Sequence, residues 1–309
     1  MEKALLGSNG RAATLFNVSP KPHPGRPPSA RMPIAMAVPK SGTRSTSQRE
    51  AIYTEIEDHL RKAIPKPPPV VFEPMHHLTF AVPQGTAPAL CIAACELVGG
   101  GRDQAMPAAA ALHIIHAAAF AHENLPLTDR PEIRPPVAHA YRPNVELMTG
   151  DGMVPFGFEL LAGSDDPAGE NSERILRAIV EITRAAGSQG MVSGQYHEVE
   201  YLLPSGRGRR EPEWADHVWA KKEGELHACA AACGAILGGG AEEEIEGLRR
   251  YGFYVGMIRG MMARGDGRRE DGGVLSTVRD MKKLALKALE GFDQGKVEAV
   301  ASILDANMC

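Results

Sequence analysis

The chain has 309 residues, of which 43% are hydrophobic and 5% aromatic, with a net charge of -4. That length can bury one large core or two modest ones, no apolar run stands out as a bilayer span, and the charge leaves no electrostatic footprint for nucleic acid. Abundant alanine and few alternating β-branched runs favour helices packed through small residues, and five cysteines, an odd count, argue against a secreted disulfide framework.

Residues 1–48 differ from the rest. Glu2 is their only acid, set against Lys3, Arg11, Lys21, Arg26, Arg31, Lys40 and Arg44, and Ser, Thr and Pro crowd the segment. An Arg- and Ser-rich, acid-poor N-terminus has the composition of an organellar transit peptide; a disordered tail with no address is the alternative. Helical signals begin near Arg49. Ile52, Ile56 and Leu60 form one stripe, and the prolines at 65–69 end it. Residues 75–101 carry the next segment, in which CIAACELVGG stops on glycine, and a third helix covers about 105–122. GDGMVPFGFELLA (150–162) reads as a fourth helix, interrupted early by Pro155, and Ile175, Ile179 and Ile182 mark a fifth that Gly187 closes. Residues 203–213 form a basic Gly/Pro-rich connection. HACAAACGAILGGG (227–240) is a small-residue helix with a glycine stop, and 241–262 follows, opened by Glu242, Glu243 and Glu244 at the positive end of its dipole. A charged loop at 265–273 and one or two amphipathic helices complete an all-α domain over 49–309.

The most informative stretch is LHIIHAAAFAHENLPLTD (112–129), a helix running off its C-terminal end into a polar turn at Glu123, Asn124, Pro126 and Asp129. From about Arg49 onward the chain resembles the plant geranylgeranyl diphosphate synthase family of trans-prenyltransferases. CIAACELVGG, AMPAAAALHIIH, HENLP, GDGMVPFGFELLA and GAILGGGAEEEIEGLRRYG match family segments in family order. The resemblance implies an isoprenoid synthase-type multi-helix bundle with a central cavity and dimer packing. It also implies ionisation of an allylic diphosphate and attack by isopentenyl diphosphate, with three Mg²⁺ held by carboxylates of two Asp-rich motifs.

The residues depart from that pattern at each working part. At the first motif the family's Asp-Asp has become Glu123 and Asn124, with Asp129 kept, and the basic residues that follow shrink to Arg134 before Pro135 and Pro136. The second motif falls on Ala263 and Arg264, with Asp266 out of pattern. At about 5 Å and an effective dielectric of ~20, Arg264 would repel Mg²⁺ by roughly 6 to 7 kcal/mol. Where the family binds isopentenyl diphosphate with cations, this chain has the uncharged run Pro83, Gln84, Gly85, Thr86, Ala87, Pro88. Gln195 remains, Glu198 replaces an Asp, and Lys222 matches a family lysine.

Two CxxxC motifs, Cys91 with Cys95 and Cys229 with Cys233, each place two sulfurs on one helical face. Three readings are open: a zinc site, small core hydrophobes, or, as the resemblance implies, the mark of the non-catalytic small subunits of heterodimeric geranyl or geranylgeranyl diphosphate synthases, where these motifs serve association with the large subunit. His113 and His116, one turn apart, are candidate metal ligands or buried core histidines. The expectation is a catalytically inactive plastid subunit that binds a geranylgeranyl diphosphate synthase large subunit and modulates its activity or product. It needs no metal or cofactor of its own, magnesium belonging to the partner. The alternatives are a weakly active trans-prenyltransferase using Glu123 and Asp129 with Mg²⁺, or a metal- or redox-sensing bundle.

Overall fold

Alanine and glycine decide how this chain packs. The structure, a computed structural model, describes residues 43–64, 69–126, 139–164, 171–202, 212–263 and 272–306. They form twelve α-helices and one π-helical turn: α1 (Thr43–Ala63), α2 (Pro69–Ala81), α3 (Ala87–Leu97), α4 (Arg102–Glu123), α5 (Pro143–Ala162), α6 (Ser172–Ala186), α7 (Met191–Leu202), α8 (Pro212–Trp219), the π-turn Ala220–Gly224, α9 (Glu225–Gly238), α10 (Glu242–Ala263), α11 (Gly272–Ala288) and α12 (Gln294–Ala306). No strand occurs among the described residues, and the architecture is the all-α bundle the sequence indicates.

The centre is a stack of α3, α9 and α10. A Cβ added at Gly234 of α9 would lie 2.0 Å from the carbonyl oxygen of Cys91 in α3, so the two backbones touch. On the other side of α9, Gly252 and Gly256 of α10 would put a Cβ 2.3 Å from the His227 carbonyl and 2.2 Å from that of Glu223. Interiors are close-packed, so such an approach excludes any side chain larger than hydrogen. Around this stack α4 lies between α3 and α5, α6 packs on α9, α11 on α10, and α12 on α3 and α1. Arg249 of α10 grips Glu181 of α6 with two hydrogen bonds of 2.7 and 2.9 Å, and the Tyr251 hydroxyl donates to the Val300 carbonyl of α12 at 2.7 Å.

Both glycine stops act as the sequence suggests. Gly99 (φ 96°) and Gly239 (φ 81°) take left-handed backbone, while Gly100 N–H reaches the Cys95 carbonyl and Gly240 N–H that of Ala235, each at 2.9 Å, closing α3 and α9. Elsewhere the sequence reading needs correction. The helix expected near Arg49 starts at Thr43. The segment 75–101 is two helices, because the run after Ala81 contains Pro83 and Gly85. Pro155 does not interrupt the fourth helix, which is continuous and begins at Pro143. Its start is fixed by Glu146, whose carboxylate takes the Tyr141 N–H at 3.2 Å and His139 Nδ1 at 2.6 Å. Pro155 lies on the exposed side of α5. Helix α7 and the start of α8 at Pro212 fall where no helix was expected. By length and composition α4 alone among the described helices is long and apolar enough to cross a membrane, but it is mostly buried inside the bundle as a core helix.

Candidate functional site

The polar residues singled out by the sequence gather where the C-terminal end of α4 meets α7, the π-turn and α10. Glu123 closes α4. Its Oε1 lies 2.7 Å from Lys222 Nζ and receives the Gln195 Nε2 donor at 2.8 Å. Lys222 also reaches Glu198 Oε2 of α7 at 2.6 Å. One ammonium therefore bridges two carboxylates from different helices, and all three side chains are largely shielded, with 12% of Lys222, 15% of Glu123 and 10% of Glu198 exposed. The π-turn inserts a residue into the helical ladder and presents Lys222 toward α7. Gly194 admits it, since a Cβ there would stand 2.6 Å from Lys222 Cγ.

The neighbouring positions of the first motif are engaged elsewhere. Asn124 is the C-cap of α4, and its Nδ2 donates back to the Phe120 carbonyl at 2.8 Å. His122 turns toward α5, 3.2 Å from the Leu147 carbonyl and 3.5 Å from Asp151 Oδ1. Its ring occupies the place of a side chain at Gly150. Asp129 and Arg134 lie outside the described residues, as do Arg264 and Asp266 of the second motif and Cys309. Ala263, exposed at the end of α10, offers no ligand atom. The uncharged run at 83–88 is tied down by its own bonds: Gln84 Nε2 donates to Glu57 at 3.1 Å, and the Tyr53 hydroxyl donates to the Gly85 carbonyl.

Next to this cluster lies a second polar group. His227 Nδ1 is 2.8 Å from the Glu223 carbonyl, which can only accept, so the proton sits on Nδ1 and Nε2 takes the Thr86 hydroxyl at 2.8 Å. Burial drives its pKa down to about 4. Arg259 Nε stands 3.3 Å from Glu223 Oε2. His113 and His116 do not form a metal pair with a third ligand. His113 Nε2 meets the Thr79 carbonyl at 2.8 Å, and burial lowers the pKa of both rings.

The four CxxxC thiols lie in the α3–α9 seam and are buried. Cys229 and Cys233 sulfurs are 3.8 Å apart, and Cys95 Sγ donates to the Gly101 carbonyl at 3.3 Å. Burial pushes Cys91 up and Cys95 to about 12, and the bond to Cys233, with burial, pushes Cys229 up. Cys91, Cys95 and Cys229 therefore stay protonated, whereas zinc needs thiolate. Among the described residues no group of three or more His, Cys, Asp or Glu could hold a metal ion. Among the described residues the donors of a three-magnesium arrangement are not assembled: Asn124 caps its helix, Ala263 carries no ligand atom, and Glu123 and Glu198 pair with Lys222. What the sequence reading missed was the grouping itself. Gln195 and Glu198, three residues apart on α7, share a face, but only the π-turn brings Lys222 to it.

No protein-family model matches the chain. It is 50% identical over 257 residues to a heterodimeric geranylgeranyl pyrophosphate synthase small subunit, chloroplastic, of Cannabis sativa, covering 82% of this chain and 89% of that one. Among solved structures it is similar to the geranyl diphosphate synthase small subunit of Antirrhinum majus, with 51% identity, a TM-score of 0.78, and 85% and 99% of the two chains covered. A mint deletion mutant of heterotetrameric geranyl pyrophosphate synthase in complex with ligands matches at 48% identity and a TM-score of 0.72 over 84% and 98%.

Proposed function

The chain belongs to the family of heterodimeric geranylgeranyl diphosphate synthase small subunits, within the trans-prenyltransferases, and we propose that it is a catalytically silent partner of a plastid geranylgeranyl diphosphate synthase large subunit. Bound there, it shifts the activity or product length of the large subunit. The magnesium and both diphosphate substrates belong to that partner. Residues 1–48 are its plastid leader and 49–309 its working domain, with α1 beginning at Thr43 inside the leader. The relatives' names, which read chloroplastic, support this address.

One observation carries the reading: the outward sides of α5, α6 and α7, which pack in that order, carry large apolar residues. Met148 is 73% exposed, Leu176 62% and Tyr196 61%, with exposed Leu147 next to Met148, and Val180 and Val192 one helical turn from Leu176 and Tyr196. On α6 the inward row is Ile175, Ala178, Ile182 and Ala185, so Leu176 and Val180 form a second apolar edge that is left exposed among the described residues. A helix apolar on two sides fits a second protein on the outer one. The buried CxxxC residues Cys91, Cys95, Cys229 and Cys233 support that surface from within: they line the α3–α9 contact that Gly234 and Gly238 bring close, and Cys233 Sγ lies 3.7 Å from the Ala178 carbonyl of α6.

The test is association with a purified large-subunit geranylgeranyl diphosphate synthase by light scattering. The parent chain should form a mixed oligomer. Leu176→Asp with Val180→Asp should weaken it by about 2 kcal/mol or more, roughly thirtyfold, with the fold intact by circular dichroism. Unchanged affinity would move the partner surface off α6.

A further inference from the structure

Helix α5 packs along α4 and approaches it closely at two glycines. At Gly157 an added Cβ would stand 3.4 Å from the Ala111 carbonyl oxygen and 3.5 Å from Ala111 Cα. At buried Gly150 it would strike the His122 ring, 2.8 Å from Cδ2 and closer still to Nε2. That Nε2 lies 3.2 Å from the Leu147 carbonyl and 3.5 Å from Asp151 Oδ1. Both neighbours are acceptors, so Nε2 carries a hydrogen and donates it. The carbonyl it grips belongs to Leu147, 43% exposed, and the next residue is Met148, 73% exposed; these are the large apolar side chains that α5 turns outward. The same turn is held from its other side by Glu146, whose carboxylate takes His139 Nδ1 and the Tyr141 N–H.

We propose that His122 is a positioning residue for the partner face: it fills the space that Gly150 leaves and, through the Leu147 carbonyl, fixes the turn of α5 that presents Leu147 and Met148. A helix start that is already ordered loses little freedom when a second protein lands on it, whereas a fraying one must be ordered at the expense of affinity. His122 belongs to the end of α4 and Met148 to the outer side of α5, so the clamp ties the first-motif segment to the surface without any metal. Its bearing on association rests on the reading of α5 as part of the partner surface, and it deepens that reading.

The experiment compares the full chain with His122→Ala, His122→Gln and Gly150→Ala. Amide hydrogen exchange is followed by mass spectrometry on each chain alone, and affinity for a purified large-subunit geranylgeranyl diphosphate synthase by calorimetric titration. His122→Ala removes the donor, and Gly150→Ala keeps the histidine but pushes its ring from its place. Both should speed exchange over residues 143–152 while the rest of the chain keeps the parent rate, and both should weaken association about tenfold. His122→Gln, which carries an amide donor at similar reach, should retain the parent exchange and affinity. Unchanged exchange at 143–152 in both disrupting variants, faster exchange spread evenly over the chain, faster exchange with parent affinity, or a His122→Gln no better than His122→Ala each overturns the proposal. The exchange arm needs no partner: a parent that binds no large subunit removes the partner reading, and the exchange pattern then still supports or overturns the clamp.

Discussion

At the scale of the residue, the buried polar groups beside the end of α4 are held by named partners. His227 is the clearest case. Its ring is 1% exposed, neutral, and wedged between the Thr86 hydroxyl and the Glu223 carbonyl. Its pKa falls from 6.5 to about 4 on folding. The unfolded chain therefore binds the proton more readily. Stability is complete above about pH 6.5 and is lost as pH falls toward 4, by ~3 kcal/mol from this ring alone. Thermal melts of the parent should drop between pH 7 and 5, and His227→Gln should flatten that slope; an equal slope in the variant would place the acid sensitivity in other groups. The thiols give a second residue-scale expectation. All four CxxxC thiols are buried, and Cys91, Cys95 and Cys229 are held protonated, so iodoacetamide should leave the four unlabelled in the folded chain and label them after unfolding. Mass spectrometry checks this. Labelling at the rate of a free peptide would contradict the α3–α9 packing.

At the scale of the element, the seam between α3 and α9 explains why cysteines stand where they do. Gly234 lies against the Cys91 carbonyl, and Gly238 against the Cys95 carbonyl with a would-be Cβ at 2.9 Å, so the two CxxxC rows belong to a crossing where backbones touch. Gly234→Ala would improve helix propensity yet drive a methyl into backbone that cannot swing away. It should cost about 3 kcal/mol, seen in denaturant unfolding as a lower midpoint with an unchanged slope. A neutral Gly234→Ala would mean that α9 slides freely. The glycine stops of α3 and α9 were legible in the sequence, because a left-handed cap needs glycine whatever surrounds it. The start of α5 was not legible. It depends on Glu146 reaching back to His139 and Tyr141, a tertiary cap that local pattern does not reveal. The π-turn was equally hidden, since AKKEG reads as ordinary helix and departs from it only where Lys222 is drawn toward Glu123 and Glu198.

At the scale of the molecule, the family was legible because five sequence blocks fall in order along the chain, and the relatives at 50% and 43% identity agree with it. The degenerate acids at Glu123 and Asn124 were legible too. What the chain does with them was not: Glu123 is paired internally and Asn124 ends its helix. The outward apolar edge of α6 escaped the sequence reading for a geometric reason. Leu176 follows Ile175, and a hydrophobic residue adjacent to the core stripe looks like a wider stripe until the neighbours of both are known. The levels meet in the proposal that a chain whose first-motif residues Glu123 and Asn124 are engaged by its own groups acts through a partner. The most direct measurement is product analysis with isopentenyl diphosphate, an allylic diphosphate and Mg²⁺, run on this chain alone, on a large-subunit geranylgeranyl diphosphate synthase alone, and on the two together. The account predicts no prenyl product from this chain alone and a changed rate or chain length in the mixture; turnover by the isolated chain, or a mixture indistinguishable from the large subunit, would contradict it.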